Sequence, residues 1–258
     1  MSSSTLDADD TFLDNIAETL YNLPGVEGVA LGGSRAQGTN RPDSDWDLAV
    51  YYRDRFNPDA IRQLGWPGQL SDVGGWGRVF NGGGPLAVDD RRIDIHYRDL
   101  NLIEDIHSAA LRGEFTIEPL LFHQANLPSY ILLAELGINS TLRGRLPAWE
   151  YPPALRESAS AVWWDHAGHT LHYARGHAQY GRVAQCAGLL SEAACHTGHA
   201  ILAHRGEWIT NEKQLLTRAG LRDIDRILAH LGTEPPGLLE AVTEANELLV
   251  GSARGEGI

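Results

Sequence analysis

The stretch Gly32 to Tyr52, GGSRAQGTNRPDSDWDLAVYY, constrains this chain more than any other. It reads as a strand end, a Gly-Gly-Ser turn, a short polar loop, and a second strand carrying two acids. Side chains alternate between the faces of a strand, so Asp45 and Asp47 point the same way. Trp46, Leu48 and Val50 then point to the other face, as a core row should. Two carboxylates so placed repel one another unless a cation bridges them. Hard carboxylate oxygens suit Mg²⁺, which keeps open positions for phosphates. Gly32 and Gly33 allow a sharp turn and a close approach to a ligand. Ser34 offers a hydroxyl, the backbone amides after it can form an anion-binding nest, and Arg35 adds a fixed positive charge. A phosphate site followed at once by a metal site is what nucleotidyl transfer requires.

The 258 residues suffice for one large domain or two modest ones. No apolar run is long enough to span a bilayer, no signal peptide opens the chain, and no membrane partner is expected. Residues 1–10 are polar and read as frayed. Cys186 and Cys195 form no disulfide framework, which fits a reducing cytoplasm. The formal net charge of −13 gives a surface that repels polyanions. It counts against a nucleic-acid substrate and favours a neutral or cationic acceptor. Lys213 is the only lysine; every other basic side chain is arginine.

Apolar spacing predicts an amphipathic helix over Thr11–Leu23, stopped by Pro24-Gly25, then a strand over Val26–Leu31. A helix is predicted over Pro58–Leu64 with Asn57 as cap. The Gly- and Trp-rich stretch 66–84 reads as loop, with a strand around Arg78–Asn81. Leu86–Leu100 reads as one strand, in which Ile93, Ile95 and Tyr97 alternate with Arg92, Asp94 and His96, so Asp94 lies on the polar face. Asp89, Asp90 and Asp99 are rival acids nearer the strand ends. Helices follow over Asn101–Arg112 and Ser129–Leu136. Gly137–Pro153, rich in Gly, Asn, Ser and Pro, reads as the domain junction. Beyond it the pattern is helical throughout: Pro153–Tyr180, Val183–Arg205, Glu212–Gly220, Arg222–His230 and Pro236–Val250, an antiparallel bundle. His166, His169, His172, His196, His199 and His204 lack the usual zinc spacing and read as structural histidines. Trp163-Trp164 reads as packing. Thr210 or Asn211 caps a helix start that puts Lys213 in its first turn, where a cation is disfavoured until a phosphate arrives.

Gly33-Ser34 followed by Asp45-Trp46-Asp47-Leu48 resembles the Gly-Ser…Asp-x-Asp motif of the DNA polymerase beta nucleotidyltransferase superfamily. Arg35, Ala36, Gly38 and Ser44 fit the Gly-Ser-x-Ala-x-Gly…Ser-Asp-x-Asp-Leu version of its minimal and antibiotic-modifying branches. The resemblance implies an α/β (α+β) fold: an N-terminal nucleotidyltransferase mixed sheet with flanking helices over residues 1–140, then a C-terminal all-α helical bundle over 150–258. It implies a Mg²⁺-dependent enzyme that transfers a nucleoside monophosphate, by default AMP from ATP, to a hydroxyl of a small-molecule acceptor such as an antibiotic. Pyrophosphate is released. Asp45, Asp47 and Asp94 would be catalytic and metal-holding. Gly33, Ser34, Arg35 and Lys213 would hold the triphosphate, Lys213 by likeness to a helical-domain lysine of the antibiotic adenylyltransferases. Asp94 would complete a second metal site or act as base, with Glu104 and Glu118 as weaker bases, and the acceptor would bind between the domains. Two other readings stay open. One is modification of a partner protein, antitoxin-like; no Arg-x4–6-His RNase spacing among the arginines and histidines of the helical bundle marks a fused toxin. The other is a catalytically silent nucleotide-binding module, against which the three acids argue.

Overall fold

A computed structural model describes residues 3–121 and 123–258. In chain order the elements are α1 (Ser3–Tyr21), β1 (Val26–Leu31), α2 (Gly33–Ala36), β2 (Trp46–Tyr52), α3 (Asp59–Arg62), β3 (Gly83–Val88), β4 (Arg91–Asp99) and α4 (Leu100–Ala110). Then come β5 (Ile117–Glu118), β6 (Leu127–Pro128), α5 (Ile131–Ile138), β7 (Ser140–Gly144), α6 (Pro153–Gln179) and α7 (Val183–Arg205). A 3-10 turn (Glu212–Gln214), α8 (Leu215–Arg218), α9 (Ile224–Ala229) and α10 (Pro235–Glu256) complete the chain. The chain is α/β, and it divides into two compact units: Met1–His107 with Leu132–Glu150, and Ser108–Ile131 with Tyr151–Ile258. No helix among the described residues is long and apolar enough to cross a membrane.

The first unit is built on a five-stranded sheet in the order β3-β4-β2-β1-β7. β2 and β4 run parallel; every other neighbouring pair is antiparallel. The strand period of two divides the side chains cleanly. Val29 and Leu31 of β1, Trp46, Leu48 and Val50 of β2, and Ile93, Ile95 and Tyr97 of β4 form one core with Phe12, Ile16 and Leu20 of α1. Each such side chain contributes about 1.5–3 kcal/mol by leaving water. Asp47, Ala49 and Tyr51 face the other way, in register with Asp94, His96 and Arg98 of β4.

Three expectations need correction. The single strand over Leu86–Leu100 is a hairpin, β3 and β4, which turns at Asp89 and Asp90 with φ of 47° and 59°. Two consecutive positive φ values are what a two-residue hairpin loop needs for its twist to match the strands. No strand forms over Arg78–Asn81; those residues turn, and β3 begins at Gly83. Its φ is 149° and a side chain there would collide with the β4 backbone at Ile95, so only glycine fits. Finally, α1 begins at Ser3, within the segment expected to fray, although Met1 and Ser2 lie outside the described residues.

In the second unit α6 and α7, joined by Tyr180–Arg182, pack on each other and on α10. The core includes Leu171, Leu190, Ile201, Leu221, Ile224 and Leu249. Gly206 at φ 70° ends α7, its N–H donating to Ala203 and Leu202 carbonyls. Trp163 is fully buried, its Nε1 donating to the Tyr130 hydroxyl at 2.7 Å. The rings of His196 and His199 stack on it at 5.6 and 4.7 Å. Both are buried, whereas His169 stays exposed and bonds the carbonyl of Asp165.

Candidate active site

The turn after β1 is fastened to β2: the Gly32 N–H donates to the Asp47 carbonyl at 2.8 Å. Gly33 follows at φ 62°, and a Cβ on it would overlap the Asp47 carboxylate. The backbone of this turn therefore lies directly on the second acid of the pair. Asp47 faces Asp94 across the parallel β2–β4 pair, residue against residue. Asp45 lies one residue before β2, two before Asp47. The structure thus brings Gly33, Ser34, Asp45, Asp47 and Asp94 to one end of the sheet, on the face opposite its hydrophobic core.

Charge partners surround the acids. Asp45 accepts from the Arg92 guanidinium at 2.5 Å. Arg92 is 75% exposed, so this ion pair is weak in water. The Nε2 of His96 stands 3.9 Å from Asp47 Oδ1. Burial pushes the Asp94 carboxyl above its usual range; His96 opposes this, Asp47 and Asp45 add to it, and Arg92 also opposes. A carboxyl that holds its proton more tightly than usual is suited to receiving one.

Arg35 is committed locally. Its guanidinium donates to the carbonyls of Ser44 at 2.8 Å and Asp45 at 3.2 Å, and lies 3.9 Å above the Trp46 ring. It ties the polar loop to the start of β2. Lys213 belongs to the second unit, exposed in the 3-10 turn, where its backbone N–H donates to Asn211 Oδ1 at 3.0 Å. Among the rivals, Asp89 and Asp90 form the hairpin turn, Asp99 caps the Asn101 N–H at 2.9 Å, and Glu104 pairs with Arg53 at 2.8 Å. Glu118 lies on β5 in the second unit.

Among the described residues, no three His, Cys, Asp or Glu side chains stand close enough to enclose a metal by themselves. The donor set still fits Mg²⁺. It consists of hard oxygens, and that ion is ordinarily held by one or two carboxylates plus substrate phosphates rather than an all-protein cage.

Comparison with known families matches part of the chain, around the turn and the first two acids, to a nucleotidyltransferase model. Residues 14–75 match the family model described as Polymerase beta, Nucleotidyltransferase, a span that holds Gly33, Ser34, Asp45 and Asp47 and ends before Asp94. No curated protein matches the chain. Among solved structures, a nucleotidyltransferase-like protein from Exiguobacterium sibiricum 255-15 is similar at 12% identity and TM-score 0.46, covering 95% of this chain and 78% of that one. An aminoglycoside 6-adenyltransferase from Bacillus subtilis is similar at 9% identity and TM-score 0.32, covering 95% and 88%.

Three residues of the aromatic cluster beside the acids went unread in the sequence. His96 was visible only as an alternating strand residue; what matters is its register two positions beyond Asp94, opposite the small Ala49. Trp76 lay in a stretch read as loop, and Phe80 in an expected strand that does not form. The further tryptophan, Trp66, and the many glycines of residues 66–84 were the available hint.

Proposed function

We propose that this protein transfers a nucleoside monophosphate, AMP from ATP in the first instance, to a hydroxyl of a small-molecule acceptor. The observation that carries the reading is the placement of Asp47 opposite Asp94 beneath the Gly33 turn. Backbone amides of the turn and the Ser34 hydroxyl hold the outer phosphates. Asp45 and Asp47 would hold Mg²⁺, which supplies charge neutralisation on the triphosphate oxygens. The acceptor oxygen attacks the α-phosphorus, the bond to pyrophosphate breaks, and the hydroxyl proton passes to Asp94. Arg92 releases Asp45 as the nucleotide enters, which its exposed position allows. Lys213 is a candidate phosphate ligand on its chemistry alone, an exposed ammonium at a helical turn; Lys213→Ala should weaken ATP binding about tenfold.

The test is incubation of the pure protein with ATP, Mg²⁺ and an acceptor library, read by mass spectrometry. A mass gain of one AMP on a small molecule is expected. A gain on a co-purified protein instead would move the reading to protein modification. Asp45→Asn and Asp47→Asn should each lower transfer at least about a hundredfold, the scale of losing a main transition-state stabiliser. Near-full activity in either variant at saturating Mg²⁺ would sink the two-acid site. Asp94→Asn should lower turnover and leave ATP affinity unchanged; weakened Mg²⁺-dependent binding would make Asp94 a ligand instead of the base.

A further inference from the structure

An aromatic wall stands beside the acids, on the side away from the phosphate turn. His96, on β4 two residues past Asp94, meets the edges of Phe80 at 5.6 Å and Trp76 at 6.1 Å between ring centroids. Trp76 and Phe80 stack on each other at 6.0 Å. Trp76 is 36% exposed, a large apolar ring left in solvent within two ring contacts of Asp47.

The segment carrying it is firmly built. Asn81 accepts from the Gly74 N–H at 2.9 Å through its side chain and from the Trp76 N–H at 3.2 Å through its carbonyl. Its amide donates to the Tyr52 hydroxyl at 2.7 Å. Arg62 pairs with Asp72 at 2.7 Å, and the Ser71 N–H bonds to Gly83 at 2.8 Å. Buried Arg98 donates to the Phe80 carbonyl at 3.0 Å and lies 4.8 Å from its ring. A large ring held at the surface by this many bonds is preorganised, so binding to it costs little ordering entropy.

The sheet order says which substrate meets it. The phosphate turn follows β1, on one side of β2; β4 and β3 lie on the other. In-line transfer sets the attacking oxygen opposite the leaving group. With pyrophosphate at the Gly33–Ser34 turn, the attacking hydroxyl arrives from the β4 side, where the wall stands. We propose that Trp76, backed by Phe80 and His96, is the acceptor-binding wall, taking a hydroxylated ring compound whose apolar face lies on the indole. This rests on the transferase reading above.

The test labels the seven tryptophans with fluorotryptophan and follows ¹⁹F NMR, the Trp76 line being assigned from Trp76→Phe. The probes are a non-hydrolysable ATP analogue with Mg²⁺, adenosine, benzyl alcohol, methyl glucoside, and glycerol as a ringless control. With the ATP analogue present, the Trp76 line should move on adding a ring alcohol and stay still with glycerol. Movement with adenosine or the analogue alone would make the wall a nucleobase site and overturn the proposal, as would a line that no ring alcohol moves. In turnover, Trp76→Ala should raise the acceptor KM about tenfold with the ATP KM unchanged, and Trp76→Phe should recover most of it. An equal change in both constants, or none, also overturns it. The titration needs no turnover. A protein that transfers nothing would therefore sink the reaction while the response of the wall stays readable, and a silent wall in an active enzyme would sink the wall alone.

Discussion

A side chain at Gly33 would strike the Asp47 carboxylate while sitting on a backbone of φ 62°. Gly33→Ala should therefore abolish Mg²⁺-dependent ATP binding and lower stability by about 1–3 kcal/mol, the usual cost of a non-glycine residue in that region. Calorimetry with an ATP analogue and a thermal melt check the two effects separately. Unchanged binding would mean that the turn does not shape the site. Asp45 lies one residue before β2, while Asp47 and Asp94 were legible as polar-face residues from strand alternation. The burial of Arg98 was not. The same alternation puts Arg98 on the polar face and so in water, yet it is 1% exposed, with Glu135 bound to the Nε and Nη2 edge of its guanidinium and backbone carbonyls on Nη1. No local pattern announces a partner 37 residues away.

At the scale of elements, the long helices α6 and α7 fall where the sequence turns helical and strand-type alternation is absent. Short edges carry weaker signals. The β3–β4 hairpin was hidden because its turn uses Asp-Asp in place of the glycine-bearing pairs that mark such loops. β7 was hidden because its five residues are mostly exposed and polar, and lie in a stretch with the composition of a linker. Asp89→Asn with Asp90→Gly relieves two residues of positive φ, so the pair should raise stability by about 1 kcal/mol and leave transfer unchanged. A thermal melt that does not rise would mean that the two aspartates have partners making up for their backbone.

For the whole molecule, the buried imidazoles set an acid limit. Burial, with His166 adding to it, lowers His196 to about 4, and burial, with His196 and His123 adding to it, lowers His199 to about 3, from 6.5. Above pH 6.5 the imidazoles are neutral in both states and nothing is lost. Below it the unfolded chain takes up protons that the folded one refuses, so stability falls from pH 6.5 towards 4, on the order of 1 kcal/mol per pH unit for each histidine. Melting temperature should drop between pH 7 and 5, and His199→Phe, which keeps a ring on Trp163, should make that drop shallower. An unchanged slope would remove His199 from the account. The first unit closes on a segment that returns to it after residue 131: β7 pairs with β1, and Glu135 meets Arg98. During synthesis from the N-terminus, the sheet therefore waits with the β1 edge bare and a guanidinium without its counter-charge until residue 144 has left the ribosome. Over that interval a chaperone, or the nascent chain of a neighbouring ribosome, would meet an open strand edge that the finished protein never shows.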